Sequence, residues 1–273
     1  MRRPSINATA CAALLLLCLR AVPALAAAPD VLLADQTWTE LRDQIRAGKT
    51  TIIIPVGGTE QSGPYVALGK HNARALALSQ QIARGLGDAF VAPVIAYVPE
   101  GGLHPTTSHM RFPGTITIPD QAFEAMLASA ADSFKVHGFR NIVFLGDHGG
   151  YQADLRRVAA RLNKQWAGSG ARALVPAAYY QASSKGFDEL LRKRGYRDDE
   201  IGTHAGLADT SLLLAVAPGM VRTDRLKTAP RPGAADGVYG GDPRRASAQL
   251  GELGVRLIVE RTIAELRKET AKP

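Results

Sequence analysis

Apolar residues recur along this chain in two rhythms. Short unbroken runs, rich in β-branched residues, alternate with longer stretches in which apolar positions return every third or fourth residue. The runs at 51–56 and 141–145 are too short for helices and run into glycine. That pattern predicts strands buried on both faces. Residues 91–98 and 171–180 also read as extended and apolar. Between these runs, Ala75, Leu78, Ile82, Ala83 and Leu86 form a helical stripe over 71–86. A second stripe, Phe123, Met126, Leu127, Ala130 and Phe134, ends at Gly138. Further helices are predicted at 38–47, 154–166, 187–194 and 208–216. A long closing helix at 246–268 turns Leu250, Leu253, Leu257 and Ile258 inward. Strand–helix alternation with continuous apolar strands predicts an α/β fold, a mostly parallel sheet with both faces covered. The long irregular stretches at 99–117 and 223–243 are rich in Gly and Pro, and loops of that length usually serve a site.

The first 28 residues stand apart. A basic start at Arg2 and Arg3, an apolar core at 10–19 and the small-x-small triplet Ala24-Leu25-Ala26 have the form of a secretory signal peptide. The expectation is an exported, periplasmic protein with one domain at 29–273, free of stable membrane association after cleavage. Both cysteines, Cys11 and Cys18, fall inside the leader, so the mature chain must cohere without disulfides. A domain of about 245 residues can do so, burying roughly 70–75% of its unfolded surface.

The formal charge of +8 includes Arg2, Arg3 and Arg20, so the mature chain carries 8 − 3 = +5. Its densest basic stretch, Lys185 to Arg197, is interspersed with Asp and Glu and reads as a solvated helix face. No aromatic interleaving accompanies it, and no nucleic-acid partner is expected.

Chemistry concentrates where strands end. The first run passes into Gly57-Gly58-Thr59-Glu60-Gln61-Ser62-Gly63-Pro64, and the run at 141–145 passes into Gly146-Asp147-His148-Gly149-Gly150. Ligands of open α/β sheets bind at the carboxyl ends of strands. Glu60 and the Asp147/His148 pair therefore predict one acidic, imidazole-bearing site. His71, His148 and His204 lie at loop-to-helix junctions, whereas His137 ends a helix and suits its dipole. A P-loop is excluded, because Pro64 stands where the phosphate-binding lysine must be. There is no Gly-x-Ser-x-Gly elbow, and without mature cysteine no thiolate chemistry. Imidazole and carboxylate remain, a ligand set for Zn²⁺, Mn²⁺ or Fe²⁺.

Six segments in order carry a resemblance: Glu60-Gln61-x-Gly63-Pro64, His109-x-x-Phe112-Pro113-Gly114-Thr115, Gly138-Phe139-Arg140, His148-Gly149-Gly150, His204-Ala205-Gly206-x-x-Asp209-Thr210-Ser211 and Gly237-Val238-x-Gly240-Gly241-Asp242-Pro243. Together they resemble the creatininase (creatinine amidohydrolase) family over nearly the whole mature chain. The resemblance implies a three-layer α/β/α sandwich, a homo-oligomer, often a hexamer, and hydrolysis of cyclic or linear amide C–N bonds other than peptide bonds at a divalent metal centre. It assigns metal ligation to Glu60 and His148, proton transfer to the leaving nitrogen to His204, and a supporting acid to Asp209, where the family usually has Glu.

Two departures change the expected metal count. Ser62 stands where the family has a second ligand histidine, and His71 where it has a bridging aspartate. An imidazole with one free nitrogen normally binds one ion. Glu60, His71 and His148 then form an expected mononuclear site, the ligand number and type of a catalytic zinc. His204 is expected as general acid, with Asp209 orienting it or replacing a lost ligand. Asp147 could orient a histidine or cap its loop. His109 and Ser62 are expected on the substrate side, while His104 and His109 could instead pack their loop on the sheet edge. The substrate expected is a small-molecule amide, with one metal per chain, zinc first and manganese or iron as alternatives. The rival expectation is a non-catalytic periplasmic binding protein with a degenerate metal site, which the substitutions Ser62 and His71 favour and His204 opposes.

Overall fold

The computed structural model describes residues 31–271; the leader expected at 1–28 lies outside them. The chain opens with α1 (Trp38–Arg46), β1 (Thr51–Val56), α2 (Lys70–Leu86), β2 (Ala89–Val91) and α3 (Asp120–Val136). It continues with β3 (Asn141–Gly146), α4 (Gln152–Gln165), β4 (Arg172–Leu174), α5 (Ala177–Gln181), α6 (Phe187–Lys193) and α7 (Asp198–Ile201). Last come β5 (Gly202–His204), α8 (Leu207–Val216), α9 (Thr223–Thr228), β6 (Tyr239–Gly241) and α10 (Ala248–Thr270).

Four strands form one parallel sheet in the order β2-β1-β3-β4. Alternation along the central strands divides the core. Ile53, Val143 and Leu145 face α2, α8 and α10, meeting Leu78, Ile82, Leu212 and Ile258. Ile52, Ile54, Val56, Ile142 and Phe144 face α3 and α4, meeting Phe123, Leu127, Leu155 and Val158. Both strand faces are covered, so every residue of β1 and β3 is buried, and the result is an α/β/α sandwich. None of the described helices is long and apolar enough to cross a membrane.

Two expectations change. The run at 91–98 pairs only briefly: β2 stops at Val91, and a single bridge from Ile95 to Val56 follows. Pro93 interrupts it, lacking the N–H a ladder needs. The run at 171–180 is a strand only to Leu174; Pro176 ends it and stands immediately before α5. From there α5 passes through a π-helical turn, Ala182–Gly186, directly into α6. A small antiparallel pair, β5 with β6, brings His204 opposite Tyr239, which periodicity did not indicate.

Candidate metal centre

The site lies where β1 and β3 end, and one buried tyrosine ties those ends together. Tyr151 donates its hydroxyl to the carbonyls of Val56 and Gly57 at 2.7 and 2.6 Å. The same oxygen accepts from the N–H groups of Asp147 and His148 at 3.1 and 3.0 Å. The loop after β1 then turns through Gly58, at φ +149°, where a Cβ would stand 2.6 Å from Glu100 Oε1. Glycine there lets the carboxyl of Glu100 approach.

Glu60 is 0% exposed and is the hub. Its Oε1 faces His71 Nε2 at 2.7 Å, Lys70 Nζ at 3.3 Å and His204 Nδ1 at 3.6 Å. Its Oε2 faces His109 Nε2 at 3.1 Å and His148 Nε2 at 3.6 Å, yet accepts no oriented hydrogen bond. Glu100, 3% exposed, has neither oxygen hydrogen-bonded; its Oε2 lies 3.6 Å from His148 Nδ1. Ligand atoms of Glu60, Glu100, His109 and His148 all lie within 4.8 Å of one another.

The electrostatics separate these groups. Burial raises the pKa of Glu60, but Lys70 and His71 outweigh it and hold the carboxyl well below the usual range. Burial, and then the charge of Glu60, push Glu100 up to about 9. Burial lowers His148 to about 4 and lowers His109 as well. Burial and then Lys70 bring His204 to about 3. At neutral pH these three imidazoles are uncharged, the state in which they can bind a cation or accept a proton.

Behind this group lies a second cluster in which each charge has a partner. Lys70, His71 and Arg74 open α2, and helical spacing turns them to one side. His71 donates one nitrogen toward Asp147 Oδ2, 2.6 Å away, while the other faces Glu60. Arg74 Nε reaches Asp147 at 2.8 Å, and its Nη1 reaches Asp209 at 2.6 Å. Tyr179 donates to Asp147 at 2.9 Å, and Lys70 Nζ, 1% exposed, meets Asp209 at 2.5 Å. Burial raises Asp209, but Lys70 and Arg74 keep it well below the ordinary carboxylate range.

Asp209 touches His204 through backbone. Ala205 has φ +54°, unusual for a residue with a Cβ, and its N–H donates to Asp209 Oδ2 at 3.0 Å. That bond fixes the turn presenting His204. His204 Nε2 lies 3.0 Å from the Gln61 carbonyl and 3.2 Å from the Gln61 side-chain amide nitrogen, while Nδ1 faces Glu60. Tyr239 packs its ring 5.3 Å from that of His204.

The sequence-derived site residues therefore separate into groups. Glu60, His109 and His148 converge with Glu100. His71 spans two carboxylates with both nitrogens and stands behind Glu60, outside the four-residue ligand group. Ser62 is buried, with its hydroxyl unbonded, and is absent from the cavity wall. Asp147 orients His71. Sequence reasoning missed Glu100, Lys70 and Arg74. Glu100 follows an apolar run and precedes Gly101-Gly102, the same signal that marked Glu60. Lys70 and Arg74 are cations on the buried side of an apolar-striped helix, a conspicuous placement.

A cavity of about 350 Å³ opens onto this site, lined by His109, His148, His204, Lys70 and Asp209 among others. It is at the small end of small-molecule pockets, which run from about 300 to 1,000 Å³.

The family model of creatinine amidohydrolase matches residues 34–266. The mycofactocin precursor peptide peptidase of Mycolicibacterium smegmatis (strain ATCC 700084 / mc(2)155) is 30% identical over 234 residues, 78% of this chain and 83% of that protein. The creatinine amidohydrolase of Pseudomonas putida is 25% identical over 208 residues, 72% of this chain and 76% of its own. A solved manganese creatininase superposes with a TM-score of 0.73 at 22% identity, over 89% of this chain and 99% of that one.

Proposed function

The chain belongs to the creatininase family, and on that premise we propose that it is a single-metal hydrolase of small amide C–N bonds. One observation carries the reading: Glu60 Oε2 and both oxygens of Glu100 are buried without hydrogen bonds, beside two uncharged imidazoles. Without a cation Glu100 must keep its proton beside the charge of Glu60, and burying both with so few partners is costly. A dication relieves both penalties, so the residues present fit a metal. Glu60, Glu100, His109 and His148 would hold it. An ion with this oxygen and nitrogen donor set supplies Lewis acidity toward a carbonyl and makes water more acidic.

The other residues bind, orient and move protons. His204, whose ring stands beside Glu60, is the imidazole placed to take a proton from the attacking water and return it to the departing nitrogen. Gln61 and the Asp209–Ala205 hydrogen bond hold that ring in place. His71 passes the orientation of Asp147 on to Glu60. Lys70, wedged between Glu60 and Asp209, already neutralises the far side of Glu60, which supports one ion rather than two. The small cavity favours a compact amide over a long peptide, in line with the name of the Pseudomonas putida relative. The Mycolicibacterium smegmatis relative keeps a terminal peptide bond in the test set.

The test is elemental analysis of protein purified without chelator, followed by amine release from small amides, lactams and short peptides. The expected result is about one Zn²⁺, Mn²⁺ or Fe²⁺ per chain and turnover of compact amides, both lost on chelation. Protein that takes up no metal under any supplementation, or hydrolyses nothing when loaded, leaves a binding protein as the reading.

A further inference from the structure

The cavity has a second wall, remote in sequence from the metal-ligating group, and it is made of hydrogen-bond acceptors. One helical face presents it. Tyr180, Ser183, Ser184 and Asp188 all line the cavity, while Tyr179, Ala182, Phe187 and Leu191 on the opposite face are buried in the core. The π-helical turn Ala182–Gly186 lies in the middle of that face, and such turns are frequent at functional sites.

The serine and threonine protons of this wall are already used. Ser183 and Ser184 donate to the Tyr180 carbonyl at 3.0 and 2.7 Å. Thr203, across the cavity, donates to the Tyr239 carbonyl at 3.2 Å. These three hydroxyls therefore offer lone pairs to whatever enters, while Tyr180 keeps its phenolic proton. Asp188 is half-buried and, among the described residues, has neither a hydrogen bond nor an ion pair. The nearby cation of the same helix, Arg192, is exposed and paired with Asp198 at 2.6 Å. Burial raises the Asp188 carboxyl to about 6, which still leaves it mostly ionised at neutral pH. The cations at the inner end, Lys70 and Arg74, are matched by Asp147, Asp209 and Glu60. Of the carboxylates lining the cavity among the described residues, Asp188 is the one without an ion pair.

We infer that Asp188 and the hydroxyls beside it form a subsite for an organic cation, so that the substrate is an amide bearing a primary ammonium or guanidinium group distant from the scissile bond. The inference rests on the reading of this cavity as the amide site, and its test separates the two. Three matched amides are titrated calorimetrically into the metal-bearing protein: 5-aminopentanamide, its neutral isostere hexanamide, and the anionic monoamide of glutaric acid. Ammonia release is followed in parallel. The aminated amide is expected to bind about tenfold or more tightly than the other two, the scale of a hydrogen bond to a charged group. Asp188→Asn should remove that preference without changing hexanamide binding, and Asp188→Lys should shift it toward the anionic amide. A wild-type protein that binds hexanamide or the anionic amide equally well, or none of the three, overturns the inference. So does an Asp188→Asn protein with an unchanged melting temperature and an intact preference. Selective binding without ammonia release upholds the subsite and refutes the hydrolase reading; hydrolysis without selectivity does the reverse.

Discussion

Asp147 and Asp209 on one side of the site, and Glu60 and Glu100 on the other, are carboxyls removed wholly or largely from water. Asp147 receives Arg74, His71 and Tyr179; Asp209 receives Lys70, Arg74 and the Ala205 N–H. Glu60 Oε2 and both oxygens of Glu100 accept no hydrogen bond, although imidazoles stand near them. The difference separates scaffold from ligand. Where the chain supplies the counter-charges, the carboxylates hold loops and a helix in register. Where it withholds them, the proposed ion would complete the charge balance.

The comparison breaks most directly at the ligand side. His148→Ala should cost activity on the order of 10⁴-fold, about 5 kcal/mol of transition-state stabilisation, together with the metal. Turnover and elemental analysis check it, and full metal retention would sink the ligand assignment. On the paired side, Arg74→Met leaves Asp147 and Asp209 short of a cation and should destabilise the fold by about 3–5 kcal/mol. Denaturant unfolding measures this, and a loss below about 1 kcal/mol would mean that the pairs act as surface bridges do.

Glu100 and Asp209 should also respond to pH with opposite signs. Glu100 is raised to about 9, so folded metal-free protein binds its proton more tightly than unfolded chain does. Its contribution is fully present below the ordinary carboxyl value and lost as pH rises toward 9, by roughly a few kcal/mol. Asp209 is depressed, so its contribution is present above the ordinary value and lost as pH falls. Melting of metal-free protein across pH should show both limbs, and Glu100→Gln should flatten only the alkaline one. The smallest effect belongs to Tyr151→Phe, which takes the hydroxyl partner from the Gly57 carbonyl and the His148 N–H, while the Asp147 N–H and the Val56 carbonyl keep each other. A loss of about 1–3 kcal/mol is expected by chemical denaturation, and an unaltered midpoint would remove the tyrosine from its tying role.

Much of this was legible in the sequence for a physical reason. Ile52 to Ile54 and Ile142 to Leu145 have no polar alternation, which only a sheet covered on both faces tolerates. Glu60 and His148 were marked by the glycines around them. Glu100 carried the same mark but sat beyond a run that Pro93 broke. The partners of Asp209 were hidden because Lys70 and Arg74 lie far from it in sequence. His71 was assigned as a ligand from its place in the chain; which nitrogen meets which carboxylate is a matter of three-dimensional packing. The acceptor wall gave no signal, because Ser183, Ser184 and Asp188 look like any polar helix face until their protons are traced.

The π turn between α5 and α6 has a bearing on how this pocket can be altered. A π turn is an α-helix carrying one surplus residue, and the flanking segments keep the phase they would have without it. Tyr179 before it, and Phe187 and Leu191 after it, hold their places in the core independently of the surplus. Loss of a single codon within 182–186 is expected to restore a regular helix and redraw the cavity wall, since the sheet and the four candidate metal ligands lie on other segments. For a designer seeking a new substrate range, shortening the helix by one residue is therefore a more economical starting library than saturating the lining positions.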